Sequence, residues 1–552
     1  MGCPQAQDVA FRPLAHFPPD IWGDRFVTFS LEDNLTMERY AKEIESLKEE
    51  VGKMLILDDD VDFGKKMSLI DVVERLGVSY YFENEIEEML NNIFQEFAAK
   101  NFKTEYDLYN IASQFRIFRQ HGHKMPCDVF NKFTNSDGKI KDSLRSDIKG
   151  MVSLYEAAHL RVHGEPILDE AFNYTIDVLK SSASFSEQAR HALKQVLHFG
   201  IQRVETRHFI SFYEEDDSRN GTLLRLSKID FNRVQLLYRQ ELSQILRWWH
   251  DLDFKNRLPY ARQRSVECHF WSIAMYYEPQ YSFARLLLSK VLLVISILDD
   301  SYDAYGTFEE LELLTQAFER WDLNAMDQFP ADYMKLVFQF VYNTYNEFAK
   351  EMTEHDKPFA AQFAKDRVMD LIRSYYTEAK WYKAKYVPTF EEYMVNARIT
   401  GVAQIISTSS LMGMEEIIQV KPFKRIIQAP KAIRACEIIG RIMDDIVSHE
   451  EEQARGHVAS GVECYMKDYN KSREEVVKIF NKMIEDAWKE LNEELLIKSN
   501  PSDDDLPKPV LKRVLNLARV VDALYKVIDG YTYSAKLIKD DIISTYASPI
   551  PL

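Results

Sequence analysis

Ala284-Arg-Leu-Leu-Leu-Ser-Lys-Val-Leu-Leu-Val-Ile-Ser-Ile-Leu298 runs directly into Asp299-Asp300-Ser-Tyr-Asp303. The first part is apolar nearly all round, and a helix without a solvent face belongs at the centre of a bundle. The uninterrupted run is short and broken by Lys290, so it reads as a core helix rather than a membrane span. Carboxylates at the end of such a helix are costly unless paired or bound to a metal. Asp299 and Asp303 are four positions apart, about 40° apart around a helix. Two carboxylates so placed repel and raise each other's pKa. A hard, oxygen-seeking cation such as Mg²⁺ relieves that repulsion. Asp300 is turned about 100° from Asp299 and is the weaker geometric candidate for the same ion.

The rest of the chain extends this helical reading. From Glu83 to Phe97 the apolar residues Ile86, Met89, Leu90, Ile93, Phe94 and Phe97 form one face at three- and four-residue spacing. Similar stripes recur to the C-terminus, strand-like alternation is scarce, and no fixed-period repeat appears. Gly and Pro number only 18 each in 552 residues, while 46% of residues are hydrophobic and 28% charged. That composition is globular and argues against an all-β or low-complexity chain. The expected fold class is all-α with two large helical domains, 1–221 and 222–552. The boundary is set at the polar stretch Glu214 to Thr222, which ends in Asn-Gly. A second loop, Ser499 to Pro509, reads as a helix connection inside the second domain.

A second acidic cluster lies at Arg441-Ile-Met-Asp444-Asp445-Ile-Val-Ser448-His-Glu-Glu-Glu452. Asp444, Ser448 and Glu452 fall within about 80° on one helical face. The rise of about 12 Å is long for one cation. Helix side chains lean toward the N-terminus, so Glu452 can reach back, although geometry alone also allows Glu451. The net charge is −18, from 69 basic and 87 acidic residues. Such a chain is a poor general nucleic-acid binder, and a phosphorylated ligand would need a cation as mediator. Five scattered cysteines without a Cys-x-x-Cys pair suit a reducing compartment. The first residues, Met-Gly-Cys-Pro-Gln-Ala, read as neither a secretory signal nor a plastid leader. Ala6 stands where a myristoylation motif wants Ser or Thr. A cytoplasmic location is therefore expected.

Asp-Asp-x-x-Asp at 299–303 followed by Asp-Asp-x-x-Ser-x-x-x-Glu at 444–452 resembles the paired metal motifs of class I terpene synthases. The resemblance extends over essentially the whole chain. It includes Arg12-Pro13 with Trp22, Tyr155 to Glu165, Arg262-Gln-Arg264, Trp271, Tyr277 to Tyr281, Glu378-Ala-Lys-Trp381 and Asp529-Gly-Tyr531. It looks most like a plant cytosolic sesquiterpene synthase. The resemblance implies an N-terminal helical barrel-like domain without chemistry of its own and a C-terminal class I terpenoid synthase bundle. It implies three Mg²⁺ per active site, with Mn²⁺ able to substitute, above an apolar cavity that ionises and cyclises farnesyl diphosphate. Carried over by motif, Asp299, Asp300 and Asp303 form one metal side, and Asp444, Ser448 and Glu452 the other. Arg262, Arg264 and Arg441 are the implied diphosphate contacts. Trp271 matches a cavity-floor aromatic whose face can stabilise a cation. Tyr525, Asp529 and Tyr531 match a cluster that in some relatives reprotonates a neutral intermediate. Thr400-Gly401-Val402 falls where the family breaks a helix, and Gly401 suits a break. Arg-Pro at 12–13, in place of the Arg-Arg of plastid monoterpene enzymes, fits the cytosolic group. No Asp-x-Asp-Asp is present, so protonation-initiated chemistry is not expected. The chain is expected to act as a monomer.

Three rival readings share parts of this pattern. A di-iron carboxylate bundle needs two Glu-x-x-His tetrads, and Glu156 to His159 and Glu205 to His208 spell two. A chain-elongating prenyltransferase uses two Asp-rich motifs, whereas the second motif here is Asp-Ser-Glu. A non-catalytic scaffold leaves both acid ladders unexplained. A second copy of the five-letter pattern, Asp58-Asp59-Asp60-Val61-Asp62, is flanked by Phe63-Gly64-Lys65-Lys66 and reads as a surface loop.

Overall fold

The computed structural model describes residue 12 and residues 14–56, 62–102, 106–184, 186–415, 417–496 and 505–552. Residues 1–11, Pro13, Asp58 to Val61 and Ser499 to Asp504, which the sequence singles out, lie outside these. Among the described residues the architecture is helical throughout, with only an isolated bridge between Thr134 and Ile140. Local sequence sets the helix starts. Ser30 with Asp33, Thr307 with Glu310, Ser460 with Glu463 and Ser472 with Glu475 form reciprocal capping boxes. The helix Glu83–Ala99 turns Ile86, Leu90, Ile93 and Phe97 inward, as its periodicity requires.

Two large hydrophobic cores result, with two small clusters beside them around Tyr393 and Ile442. One gathers residues from Ile44 to Phe231, the other residues from Val234 to Tyr546. The long helix Gly221–Asp251, capped by Asn220, serves both: Leu223 to Phe231 enter the first core and Val234 to Trp249 the second. The chain ends cross over. Trp22 and Phe26 pack in the second core, whereas Ile550 packs in the first.

The helix Ser282–Asp303, the first acidic helix, is the axis of the second core. By length and composition it could cross a membrane, but 72% of its most apolar stretch is buried inside the protein. Lys290, its one cation near the middle, pairs with Glu347. Around it stand Ser265–Met275, Pro358–Ala384, the broken pair Phe390–Thr400 and Ala403–Ser410, the second acidic helix Lys431–Ala454, and Lys508–Tyr525. Their inner faces enclose a cavity of about 920 Å³.

The other copy of the acid pattern has a local role at its last residue. Exposed Asp62 caps the helix Phe63–Arg75, accepting from the Gly64 amide at 2.8 Å and the Tyr106 hydroxyl at 2.9 Å.

Candidate active site

The two acidic helices end facing one another across the mouth of the cavity. Asp299, Asp303, Asp444, Ser448 and Glu452 all line it, as do Arg262, Trp271, Arg441, Tyr525, Asp529 and Tyr531. The sequence-derived residues therefore converge, with two departures. Asp300 is fully buried, turned away from the cavity, and spent on Arg262: it accepts from the Arg262 amide at 2.6 Å and from Nε at 2.8 Å. Burial pushes its pKa up to about 6. One residue of helical rotation separates Asp300 from Asp299 and makes it a support for Arg262. Arg264, expected beside the ligand, does not reach the cavity. Its buried guanidinium donates to the carbonyls of Tyr531, Gln263, Pro18 and Thr532 at 2.8–3.1 Å. It ties the N-terminal segment to the turn that carries Tyr531.

Arg262 spans the adjacent pair Asp299 and Asp300, with Nη2 2.6 Å from Asp299, and Nη1 donates to Thr532 Oγ1 at 3.0 Å. The rings of Phe17 and Tyr531 lie 4.6 and 5.1 Å from its guanidinium carbon. Arg441 pairs with Asp444 and reaches Asp445 at 2.9 Å. Both arginines thus sit against carboxylates with their planes at the cavity rim.

Two residues missed in the sequence hold the ladders together. The second acidic helix ends at Ala454, and the chain turns through Gly456 at φ +78. That turn delivers Arg455 to Asp303 at 2.8 Å. It also sets His457 between Asp303 and Glu452. Burial alone would lower the His457 imidazole, but Asp303 and Glu452 outweigh it and raise its pKa to about 10. Burial would likewise raise Asp303, yet His457 and Arg455 hold it down at about 2. Asp444 moves the other way, up to about 8, through burial and the nearby carboxylates of Glu452 and Asp529 despite Arg441. A signal for His457 existed: a Gly-turned Arg-x-His directly after an acid ladder.

The donor set fits a hard divalent cation. The Ser448 hydroxyl is buried with no hydrogen-bond partner, between two carboxylates of its own face. Burial and the carboxylates of Glu452 and Asp529 oppose the Asp444 charge despite Arg441, and a further cation would relieve them. Among the described residues no three His, Cys, Asp or Glu side chains already converge on one point. Each ladder offers a few oxygens, which matches a cation that keeps several waters. The di-iron tetrads are otherwise engaged. Glu156 pairs with Arg75 and Arg116, Glu205 pairs with His191, and His159 Nδ1 donates to the Tyr155 carbonyl at 2.8 Å.

Below the rim the cavity turns apolar. Trp271, 7% exposed, meets Tyr531 edge-on at 6.4 Å. The Tyr531 hydroxyl donates to Ser296 at 2.8 Å and lies 3.4 Å from Cys268 Sγ. Asp529 accepts the amides of Tyr531 and Thr532 at 3.0 and 2.9 Å, so it shapes this turn. Tyr525 is a neutral phenol, its pKa raised by burial and then by Asp529 and Asp444. The expected helix break is present, but the left-handed backbone falls on Val402, at φ +59, rather than on Gly401. Gly401 is needed for space: a Cβ there would stand 3.1 Å from the Ala397 carbonyl and 3.5 Å from Arg441 Cβ. Glu378, at the same break, accepts from Thr400 Oγ1 at 2.8 Å, and burial raises it to about 7.

Comparison with known proteins agrees with this geometry. Residues 21–199 match the family description "Terpene synthase, N-terminal domain", and residues 250–490 match "Terpene synthase family, metal binding domain". A valerianol synthase of Camellia sinensis, TPS8, is 48% identical over 98% of this chain and 97% of its own. A hedycaryol synthase of Camellia brevistyla is 47% identical over the same shares. Among solved structures, limonene synthase with 2-fluorolinalyl diphosphate superposes with a TM-score of 0.88 at 29% identity, covering 98% of this chain and 100% of that one. Isoprene synthase from grey poplar leaves, solved with three Mg²⁺ and dimethylallyl-S-thiolodiphosphate, gives 0.85 at 32% identity, covering 95% and 99%.

Proposed function

The chain belongs to the terpene synthase family, and from that premise we propose that it is a sesquiterpene synthase, a lyase that ionises farnesyl diphosphate and cyclises the resulting cation. The observation that carries this reading is the pair of acid ladders facing each other over an apolar cavity of about 920 Å³. The names of the sesquiterpene synthases nearly half identical to it over 97% of their length support the farnesyl chain. In this proposal residues 222–552 hold the chemistry and residues 1–221 support it.

Asp299 and Asp303 would hold divalent metal on one side, and Asp444, Ser448 and Glu452 on the other. Mg²⁺ is the proposed ion, three per site, a number supported by the isoprene synthase complex. Bound there, the cations supply positive charge that stabilises the departing diphosphate. Arg262 and Arg441, already aligned at the rim, add fixed donors to the same leaving group. The C1–O bond breaks with its electron pair going to diphosphate, leaving an allylic cation in the cavity. Trp271 and Tyr531 present ring faces and edges to that cation, and the buried walls exclude the water that would quench it. Tyr525 and Tyr531, both neutral phenols with raised pKa, are placed to move a proton at their hydroxyls. The four described cysteines are free thiols, in keeping with a cytoplasmic protein.

Incubation with farnesyl diphosphate and Mg²⁺, followed by gas chromatography–mass spectrometry, tests the proposal. Cyclic or hydroxylated C15 products are expected, abolished by excess chelator and restored by Mg²⁺ or Mn²⁺. A much higher kcat/KM for geranyl diphosphate, or turnover in full chelation, would overturn it.

A further inference from the structure

A second and larger cavity, about 1740 Å³, lies between the two cores and has no part in the reaction above. Its wall contains Arg519, 5% exposed, and His198, 1% exposed. Other deeply buried arginines are matched by carboxylates: Arg116 by Asp71, Arg119 by Glu165, Arg203 by Asp230, Arg285 by Glu241 and Arg513 by Glu278. Arg264 lacks one, but four backbone carbonyls saturate it. Arg519 has neither. Nε donates to the His198 carbonyl at 2.8 Å and Nη1 to Asn516 Oδ1 at 3.0 Å, and among the described residues no carboxylate lies within ion-pair distance. Burial depresses its pKa to about 10, and Glu205, the carboxylate whose charge acts on it, is committed to His191 at 2.8 Å.

The tautomer of His198 follows from its neighbour. Asn492 Nδ2 donates to the carbonyls of His159 and Arg161 at 2.8 and 3.0 Å, so Oδ1 is fixed as an acceptor. His198 Nε2, 2.8 Å from that oxygen, must carry the proton. Nδ1 is then a bare acceptor, and it is buried without a partner. Burial and the adjacent Arg519 charge keep this ring neutral. The cavity wall therefore presents a cation lacking a counter-charge beside an acceptor lacking a donor.

We propose that the cavity between the two cores is a binding site for a small hydrogen-phosphate-class oxyanion, held by its charge on Arg519 and by its O–H on His198 Nδ1. A carboxylate supplies the charge but not the O–H. The site adjoins the catalytic cavity through one helix. Arg513, Leu515 and Arg519 of Lys508–Tyr525 face the interdomain cavity, while Leu517, Val521 and Tyr525 of the same helix line the catalytic one. An occupant would thus brace the back of the helix that forms a wall of the active site.

Inorganic phosphate titrated into the full-length protein in excess chelator, read by isothermal titration calorimetry, tests this. One saturable site is expected, weakened at least tenfold by Arg519→Met, with acetate binding at least tenfold more weakly than phosphate. Absence of phosphate binding, binding unchanged in folded Arg519→Met, or acetate binding as tightly as phosphate would overturn the proposal. Crystals of the unmodified protein soaked in arsenate, which keeps an O–H at neutral pH as phosphate does, remove any dependence on the variant's folding. An anomalous peak against Arg519 supports the site, and a map with no peak there overturns it.

Discussion

At Asp303 burial opposes a charge that Arg455 and His457 maintain, so the carboxylate is kept ionised at the mouth of a dry cavity. Asp303→Asn removes that charge where the leaving group needs stabilising. A loss of roughly 10²-fold or more in kcat/KM is expected, about 2.7 kcal/mol. Asp62 spells the same motif but is exposed, and Asn can still cap the helix at Gly64. Asp62→Asn should stay within about 0.5 kcal/mol of the parent in stability and activity. Steady-state kinetics and thermal melts of the two variants, side by side, check both statements. Trp271 lines the cavity, and its one polar atom, Nε1, is buried rather than turned to a diphosphate. Trp271→Leu should therefore shift the product profile by gas chromatography–mass spectrometry more than it shifts KM. An unchanged profile would reduce Trp271 to packing. Residue type and spacing disclosed Asp299, Asp303, Asp444, Ser448 and Glu452, because a helix carries such positions to one face. The same logic did not reveal that Asp300 would serve Arg262, or that Arg264 would be consumed by carbonyls. Those outcomes depend on which neighbour each side chain meets.

Among the elements, the break between Phe390–Thr400 and Ala403–Ser410 shows how sequence and packing divide the work. Gly401 announced a break, but the strained left-handed residue is Val402, a β-branched side chain. Such strain persists only where surrounding structure over-determines it, commonly beside a functional cavity. The helix Lys508–Tyr525 is the wall common to both cavities. It is anchored by Arg513, which donates to Glu278 at 2.9 and 3.0 Å and to the Met275 carbonyl at 2.8 Å. Arg513→Met would leave Glu278 buried with only Lys512, at 2.7 Å. Breaking one side of a buried ion pair costs about 3–5 kcal/mol. Urea denaturation followed by circular dichroism should show a loss of that order. A midpoint equal to the parent's would mean that the anchor is dispensable.

For the whole molecule, the joint between the domains carries a titrating clasp. Lys508 reaches Glu87 at 2.6 Å, and Glu87 lies 2.8 Å from His121, whose other nitrogen meets Glu74. Burial would lower His121, but Glu74 and Glu87 outweigh it and raise its pKa to about 9. In the unfolded chain the value is about 6.5. The folded form thus holds the proton more tightly. The resulting stability is complete below about pH 6.5 and is lost as pH climbs through 9. His121→Gln should flatten the fall in melting temperature across that window, as read by differential scanning fluorimetry. A slope equal to the parent's would place the titration elsewhere.

The sequence by itself determined the helical fold class, the gathering of each acidic ladder on one helix face, and the family. Periodicity, capping residues and metal-ligand spacing are local, and an α-helix converts local spacing directly into a shared face. Only the tertiary structure decided that His457 and Arg455 bridge the ladders, that the chain ends exchange cores, and that Arg519 is left without a counter-charge. Each of these joins residues from different elements, often hundreds of positions apart. The energies that place them, burial and charge pairing, depend on distances that no spacing along the chain encodes.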